Sequence, residues 1–168
     1  RPVLTLLSTK IFDCHSDNAI KLGAAVEFIH MATLLHDDVV DESTLRRGKA
    51  TANEAFGNPA SVLVGDFLYS RAFQMMVKAD DMKIMQILSD ATNVIAEGEV
   101  LQLMNMHDAS LTEQDYLTVI RSKTAKLFEA SARLGAVLAK NTQAEAACAT
   151  YGQALGTAFQ VIDDILDY

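Results

Sequence analysis

Apolar side chains recur along this chain at helical rather than strand spacing. Ile20, Ala24, Phe28, Met31 and Leu35 follow one another at steps of three and four, so residues 17–41 predict a long helix with Asp17 as its N-cap. A short helix is predicted before it over 2–13, with Pro2 in the first turn, where a missing N–H costs nothing. Residues 42–58 form a polar loop with Gly48, Gly57 and Asn58, and Asn58-Pro59 then caps and starts a helix over about 59–79. Ile84, Ile87, Leu88, Ala91, Ile95, Leu101 and Met104 predict another over 81–107. Thr112 and the acidic turn after it start a helix running to about Lys140. A last helix begins near Thr142 and carries Gly152 and Gly156 at a spacing that lets another helix approach closely. No segment keeps a strand period, and there is no low-complexity linker. Long helices joined by short loops predict an all-α bundle.

The polar positions are concentrated where these helices end. Asp37, Asp38 and Asp41 close the 17–41 helix, and Arg46-Arg47 follow at once. Asp37 and Asp41 lie at i and i+4, so their carboxylates share a face and repel each other. A hard cation removes that repulsion, and Mg²⁺ suits a site of one or two carboxylates completed by water and phosphate oxygens. The arginines offer planar forks for further phosphate oxygens; their plainer reading is pairing with Asp41 or Glu42. Asp163, Asp164 and Asp167 repeat the same pattern at the other end of the chain. One such motif could be a solvated acidic face. Two, each on an apolar helix, favour a diphosphate–metal site.

Composition narrows the class. The 168 residues are half hydrophobic and carry a net charge of −8, enough for one domain with a substantial core. No basic stripe exists, which argues against a nucleic-acid partner. Cys14 and Cys148 make no disulfide framework, so a reducing cytoplasm is the expected location. No run of eighteen apolar residues suggests a transmembrane segment, and the first residues do not read as a signal peptide.

Several stretches together resemble the trans-polyprenyl diphosphate synthases, in particular the octaprenyl diphosphate synthases. They are Glu27-Phe-Ile-His30, Leu34-Leu-His-Asp-Asp-Val-Val-Asp-Glu-Ser43, Arg46-Arg-Gly-Lys-Ala-Thr51, Val64-Gly-Asp-Phe67, Arg71-Ala-Phe-Gln-Met-Met76, Gly98-Glu-Val-Leu-Gln102, Lys123-Thr-Ala125 and Gly156-Thr-Ala-Phe-Gln-Val-Ile-Asp-Asp164. They occur in the family's order and cover nearly the whole chain. The resemblance implies an isoprenoid-synthase type of helical bundle around a central cavity. It further implies that residues 1–168 are one polyprenyl synthase domain, truncated at both ends and inactive by itself.

The activity implied is successive head-to-tail condensation of isopentenyl diphosphate with an allylic diphosphate. The product would be a long all-trans polyprenyl diphosphate, delivered to the membrane as a quinone side-chain precursor. Asp37, Asp41 and Asp163 would hold Mg²⁺, three ions per site with substrate bound, with Asp38, Asp164 and Asp167 as further ligands or supports. Arg1 matches the last residue of a Gly-Gly-Lys-x-x-Arg motif whose glycines and lysine are missing here. With His30 it would bind isopentenyl diphosphate. Arg46, Arg47 and Lys123 would bind diphosphate, Gln160 would bind substrate, and Thr124 would put oxygen atoms near the developing carbocation. Gln102 would lie near the metal-bound diphosphate; a hydrogen-bonded core amide is the plainer reading. His36 is expected to be structural, and Asp66 a buried hydrogen-bonding carboxylate. Ala32 and Thr33 would line the tunnel below the metals and set product length, with Ala32→Phe shortening it. A homodimer is expected.

Other readings are a shorter-chain synthase, a non-catalytic subunit or a terpene cyclase. The second aspartate motif, His30 and Arg47 argue against the cyclase, and intact aspartates against the subunit. A Ca²⁺ loop of the EF-hand type lacks its alternating ligands and central glycine.

Overall fold

A computed structural model describes residues 1–106 and 110–167. Its helices are α1 (Pro2–Ile11), α2 (Asp17–Val40), α3 (Ala52–Phe56), α4 (Asn58–Val77), α5 (Met82–Met104), α6 (Glu113–Ile120), α7 (Lys126–Leu138) and α8 (Thr142–Leu166). The all-α expectation holds, with three local differences. Ser16, not Asp17, caps α2: its backbone is extended and its hydroxyl accepts from the Asn18 N–H at 3.3 Å. The 42–58 loop is partly ordered, as the hairpin β1 (Leu45–Arg46) and β2 (Lys49–Ala50) followed by α3. Two-residue strands are too short to show a period. Their turn residues, Arg47 and Gly48, both have positive φ, as the tight hairpin requires.

The third difference matters most. The helix expected from Thr112 to Lys140 is interrupted by a π turn at Arg121–Ala125, which joins α6 to α7. An extra residue inside one helical turn re-aims the side chains it carries. Those side chains include Lys123 and Thr124.

The core is built from the apolar stripes of four helices: Leu22, Val26 and Ile29 of α2, Met76 of α4, Ile84 and Leu88 of α5, and Leu134 of α7. Helix α2 is long and apolar enough to cross a membrane by length and composition, yet it packs against α1, α4 and α7. Glu145 of α8 ties the bundle by pairing with Lys83 of α5 and, at 2.6 Å, with Arg133 of α7. These hydrogen bonds outweigh burial and hold its carboxyl below the usual range.

Helix α8 approaches α7 closely at its glycines. A Cβ on Gly152 would stand 2.5 Å from the Phe128 carbonyl oxygen and 2.7 Å from the Glu129 Cα, both backbone atoms of α7. Gly152→Ala is therefore expected to destabilise the protein by about 2 kcal/mol, since a backbone contact cannot relax as a side chain does. Urea unfolding measures this, and an unchanged midpoint would contradict such tight packing.

Candidate active site

Helix α2 delivers Asp37 at its C-terminal end, α8 delivers Asp163, and the π turn delivers Lys123 and Thr124. All of them line one cavity of about 250 Å³, with Arg1, His30, Asp41, Arg46, Arg47 and Gln160 around it. Residues from both ends of the chain thus meet on one space.

Charge is balanced unevenly there. Lys123 Nζ lies 2.7 Å from Glu99 and 3.6 Å from Asp37. Burial works against its charge, but the bond to Glu99 and the charges of Asp37, Glu99 and Asp41 win, so its pKa is raised. Burial pushes the Asp37 carboxyl up to about 6; Lys123 opposes this, while Glu99 and Asp41 add to it. One lysine therefore serves more carboxylates than it can neutralise. Glu99 Oε1 is buried without a hydrogen-bond partner.

The two middle aspartates are engaged by the protein. Asp38 is 4 % exposed and takes Arg46 bidentately, Nη2 donating to Oδ1 at 2.6 Å and Nε to Oδ2 at 3.2 Å. This bond is the main reason the Arg46 pKa rises. Asp164 accepts from Tyr116 Oη at 2.5 Å and from Gln160 Nε2 at 2.8 Å, and Gln160 Oε1 accepts from Thr124 Oγ1 at 2.8 Å. The hydrogen bond to Asp164 pushes the Tyr116 hydroxyl up to about 12, so it remains a donor. Asp38 and Asp164 thus have their oxygens engaged by other side chains, Arg46 in one case and Tyr116 and Gln160 in the other. Asp37, Asp41 and Asp163 face the smaller cavity, and Asp167 joins Asp41 on an adjoining cavity of about 610 Å³ that also includes Gln102.

Among the described residues no three His, Cys, Asp or Glu side chains converge tightly enough to hold a metal ion by themselves. Hard oxygen donors in excess, facing a cavity with arginine and lysine, nevertheless fit a divalent cation whose shell is completed by phosphate oxygens. Asp37 must ionise to take part. Below pH 6 a proton competes for it, so divalent-metal affinity is expected to fall as pH drops from 7 to 5, by about tenfold per unit below the pKa. Calorimetric metal titration of the complete enzyme across that range checks it; pH-independent affinity would exclude Asp37 as a ligand.

Arg1 Nη1 donates to His30 Nε2 at 2.7 Å and its guanidinium carbon lies 4.7 Å from the Phe128 ring centre. Burial first, and then Arg1, depress His30 to about 3, so it is a neutral acceptor that aims the arginine. Burial also lowers Arg1 to about 10, against the pull of Glu27 and Asp163.

The tunnel residues separate. Ala32 is wholly buried and lines neither this cavity nor the apolar one next to it. Thr33 lines both. The apolar cavity, about 640 Å³, runs past Tyr69, Ile95, Ala96, Val100 and Leu103 and shares Asp37 and Glu99 with the polar one. His36 Nε2 donates to the Val62 carbonyl at 3.3 Å and lies 3.3 Å from Asp66 Oδ1; Asp66 is exposed rather than buried.

Sequence reasoning missed Glu99 and Tyr116. Glu99 had a signal, a charge four residues after Ile95 on the buried stripe of α5. Tyr116 had none, since it meets Asp164 across 48 residues of chain.

A polyprenyl synthetase family model matches residues 1–168. The chain belongs to the polyprenyl synthetase family. It is 57 % identical to the octaprenyl diphosphate synthase of Escherichia coli over all of its own length and 52 % of that protein. Among solved structures, a decaprenyl diphosphate synthase from Rhodobacter capsulatus superposes with a TM-score of 0.97 at 50 % identity, over 99 % of this chain and 52 % of that one. A polyprenyl synthase from Caulobacter crescentus, solved in complex with calcium and isoprenyl diphosphate, gives 0.96 at 53 % identity over 99 % and 51 %. The chain spans about half the length of the relatives it matches.

Proposed function

We propose that the complete enzyme condenses isopentenyl diphosphate with an allylic diphosphate, head to tail and repeatedly, to a long-chain all-trans polyprenyl diphosphate. The observation that carries this reading is the shared cavity where Asp37, Asp41 and Asp163 meet Lys123, Arg47 and Arg1. Similarity to octaprenyl and decaprenyl synthases supports the long product.

Asp37, Asp41 and Asp163 would hold the metal. Magnesium there would neutralise the charge that develops on the departing diphosphate. Lys123, held charged between Glu99 and Asp37, exchanges part of that pairing for phosphate oxygens. Arg47, exposed on the hairpin turn, supplies a fork from the other side. Arg1, aimed by neutral His30, suits the second diphosphate. Thr124 offers oxygen to the cationic carbon, and apolar walls such as Leu34, Ile95 and Leu127 keep water from quenching it. The growing tail would enter the apolar cavity beside Thr33. Three magnesium ions per loaded site, a homodimer, a cytoplasmic location and transfer of the product to the membrane for quinone synthesis belong to the same proposal.

The test incubates the complete enzyme with labelled isopentenyl diphosphate and an allylic primer, with and without Mg²⁺, and sizes the dephosphorylated products. Elongation past four isoprene units that stops with EDTA is expected. Cyclised products, or none from isopentenyl diphosphate, would refute the reading.

A further inference from the structure

We infer that Asp164 is a positioning residue which, through Gln160, fixes the direction of the Thr124 hydroxyl. This rests on the synthase reading above and adds to it.

An ionised carboxylate can only accept hydrogen bonds. Tyr116 donates to one Asp164 oxygen, and the other is met by Gln160 at 2.8 Å. Gln160 must therefore present its NH₂ end to Asp164. An amide is rigid, so its carbonyl end turns to Thr124, 2.8 Å away. A carbonyl cannot donate, so the threonine proton lies in that bond. A hydroxyl has one proton; with it committed, Thr124 shows the cavity lone pairs and no donor.

Thr124 borders both the 250 Å³ and the 610 Å³ cavities, so those lone pairs face reacting space. The residue before it, Lys123, can only donate. The π turn thus sets a donor and an acceptor side by side. Phosphate oxygens are drawn to Lys123 and repelled by Thr124, while an electron-poor carbon is favoured beside Thr124. The pair sorts the two ends of an allylic diphosphate as it ionises, and Asp164 determines the sign of one member without touching substrate.

Asp164→Asn removes that constraint, because asparagine can offer its own NH₂ to Gln160. The amide can then turn over and the threonine proton swing into the cavity. In the complete enzyme this variant is expected to lower kcat on the order of tenfold to a hundredfold. KM for both diphosphates and the half-saturating Mg²⁺ concentration should stay within about twofold, Thr124→Ser should retain turnover, and in a Thr124→Val background Asp164→Asn should cost less than about twofold more. A raised Mg²⁺ requirement would make Asp164 a metal ligand and overturn the inference; so would a raised KM or full additivity with Thr124→Val. The relay is also readable without turnover. In ¹⁵N-glutamine-labelled protein the Gln160 amide protons should exchange slowly and lose that protection in Asp164→Asn. A Gln160 amide indifferent to the substitution overturns the relay even in an enzyme that proves not to elongate, an outcome that would separately refute the synthase reading.

Discussion

Asp37→Ala in the complete enzyme is expected to reduce condensation by on the order of a thousandfold or more, because a carboxylate that positions metal against the leaving group is worth several kcal/mol of barrier. Asp37 faces the cavity, and burial with Glu99 and Asp41 nearby makes its charge costly unless a cation arrives. The same reasoning predicts an opposite effect on stability. A carboxyl raised from 3.8 to about 6 binds its proton more tightly in the folded than in the unfolded protein. Relative to an unshifted carboxyl, the fold is therefore favoured at low pH, and that advantage is lost as pH rises through 6. At pH 7 without metal, Asp37→Asn should raise the melting temperature while activity disappears, a gain of about 1–3 kcal/mol. Differential scanning calorimetry beside a steady-state assay checks both. A variant that is less stable and still active would leave no place for Asp37 in a metal site. Asp38 provides the contrast: its loss releases Arg46, and added metal should not compensate.

Product length should respond to Thr33 and not through Ala32. Thr33 lies four residues before Asp37, about 6 Å along the helix at 1.5 Å per residue. It borders both the polar cavity and the apolar one that opens from it. A tail anchored by its diphosphate meets this level after one or two units. Thr33→Phe puts a rigid ring there, and forcing a chain past it costs kcal/mol as overpacking does. The hydroxyl lost by the change bonds the His30 carbonyl within the same helix, so the fold should tolerate it. The expected main product shortens to three or four isoprene units, with early condensations intact, as mass analysis of dephosphorylated products would reveal. A full-length product at normal rate would mean that the tail takes another path. Ala32→Phe instead places the ring in a site with no exposed surface and should chiefly destabilise the protein.

How much of this was legible in the sequence depends on the range of the interaction concerned. Helix positions followed from local spacing: α2, α4, α5 and α8 start and stop within a few residues of their apolar stripes and caps. The pairing of Asp37 with Asp41 on one face is also local, four residues along one helix. The motif stretches extended this to the family, because residues in a shared order constrain the fold together. Direction and partnership were not local. Whether Asp38 faces a cavity or Arg46 depends on a hairpin folding back on the end of α2. Whether Asp164 looks at metal or at Gln160 and Tyr116 depends on α8 lying beside α6 and the π turn. The π turn itself has no residue-type signature in Arg121–Ala125; α5, α6, α7 and α8 all pack against it. Ala32 and Thr33 are neighbours in sequence, and a helix turns roughly 100° per residue. That rotation, measured against helices that periodicity cannot place, buries one of them and opens the other to the cavity.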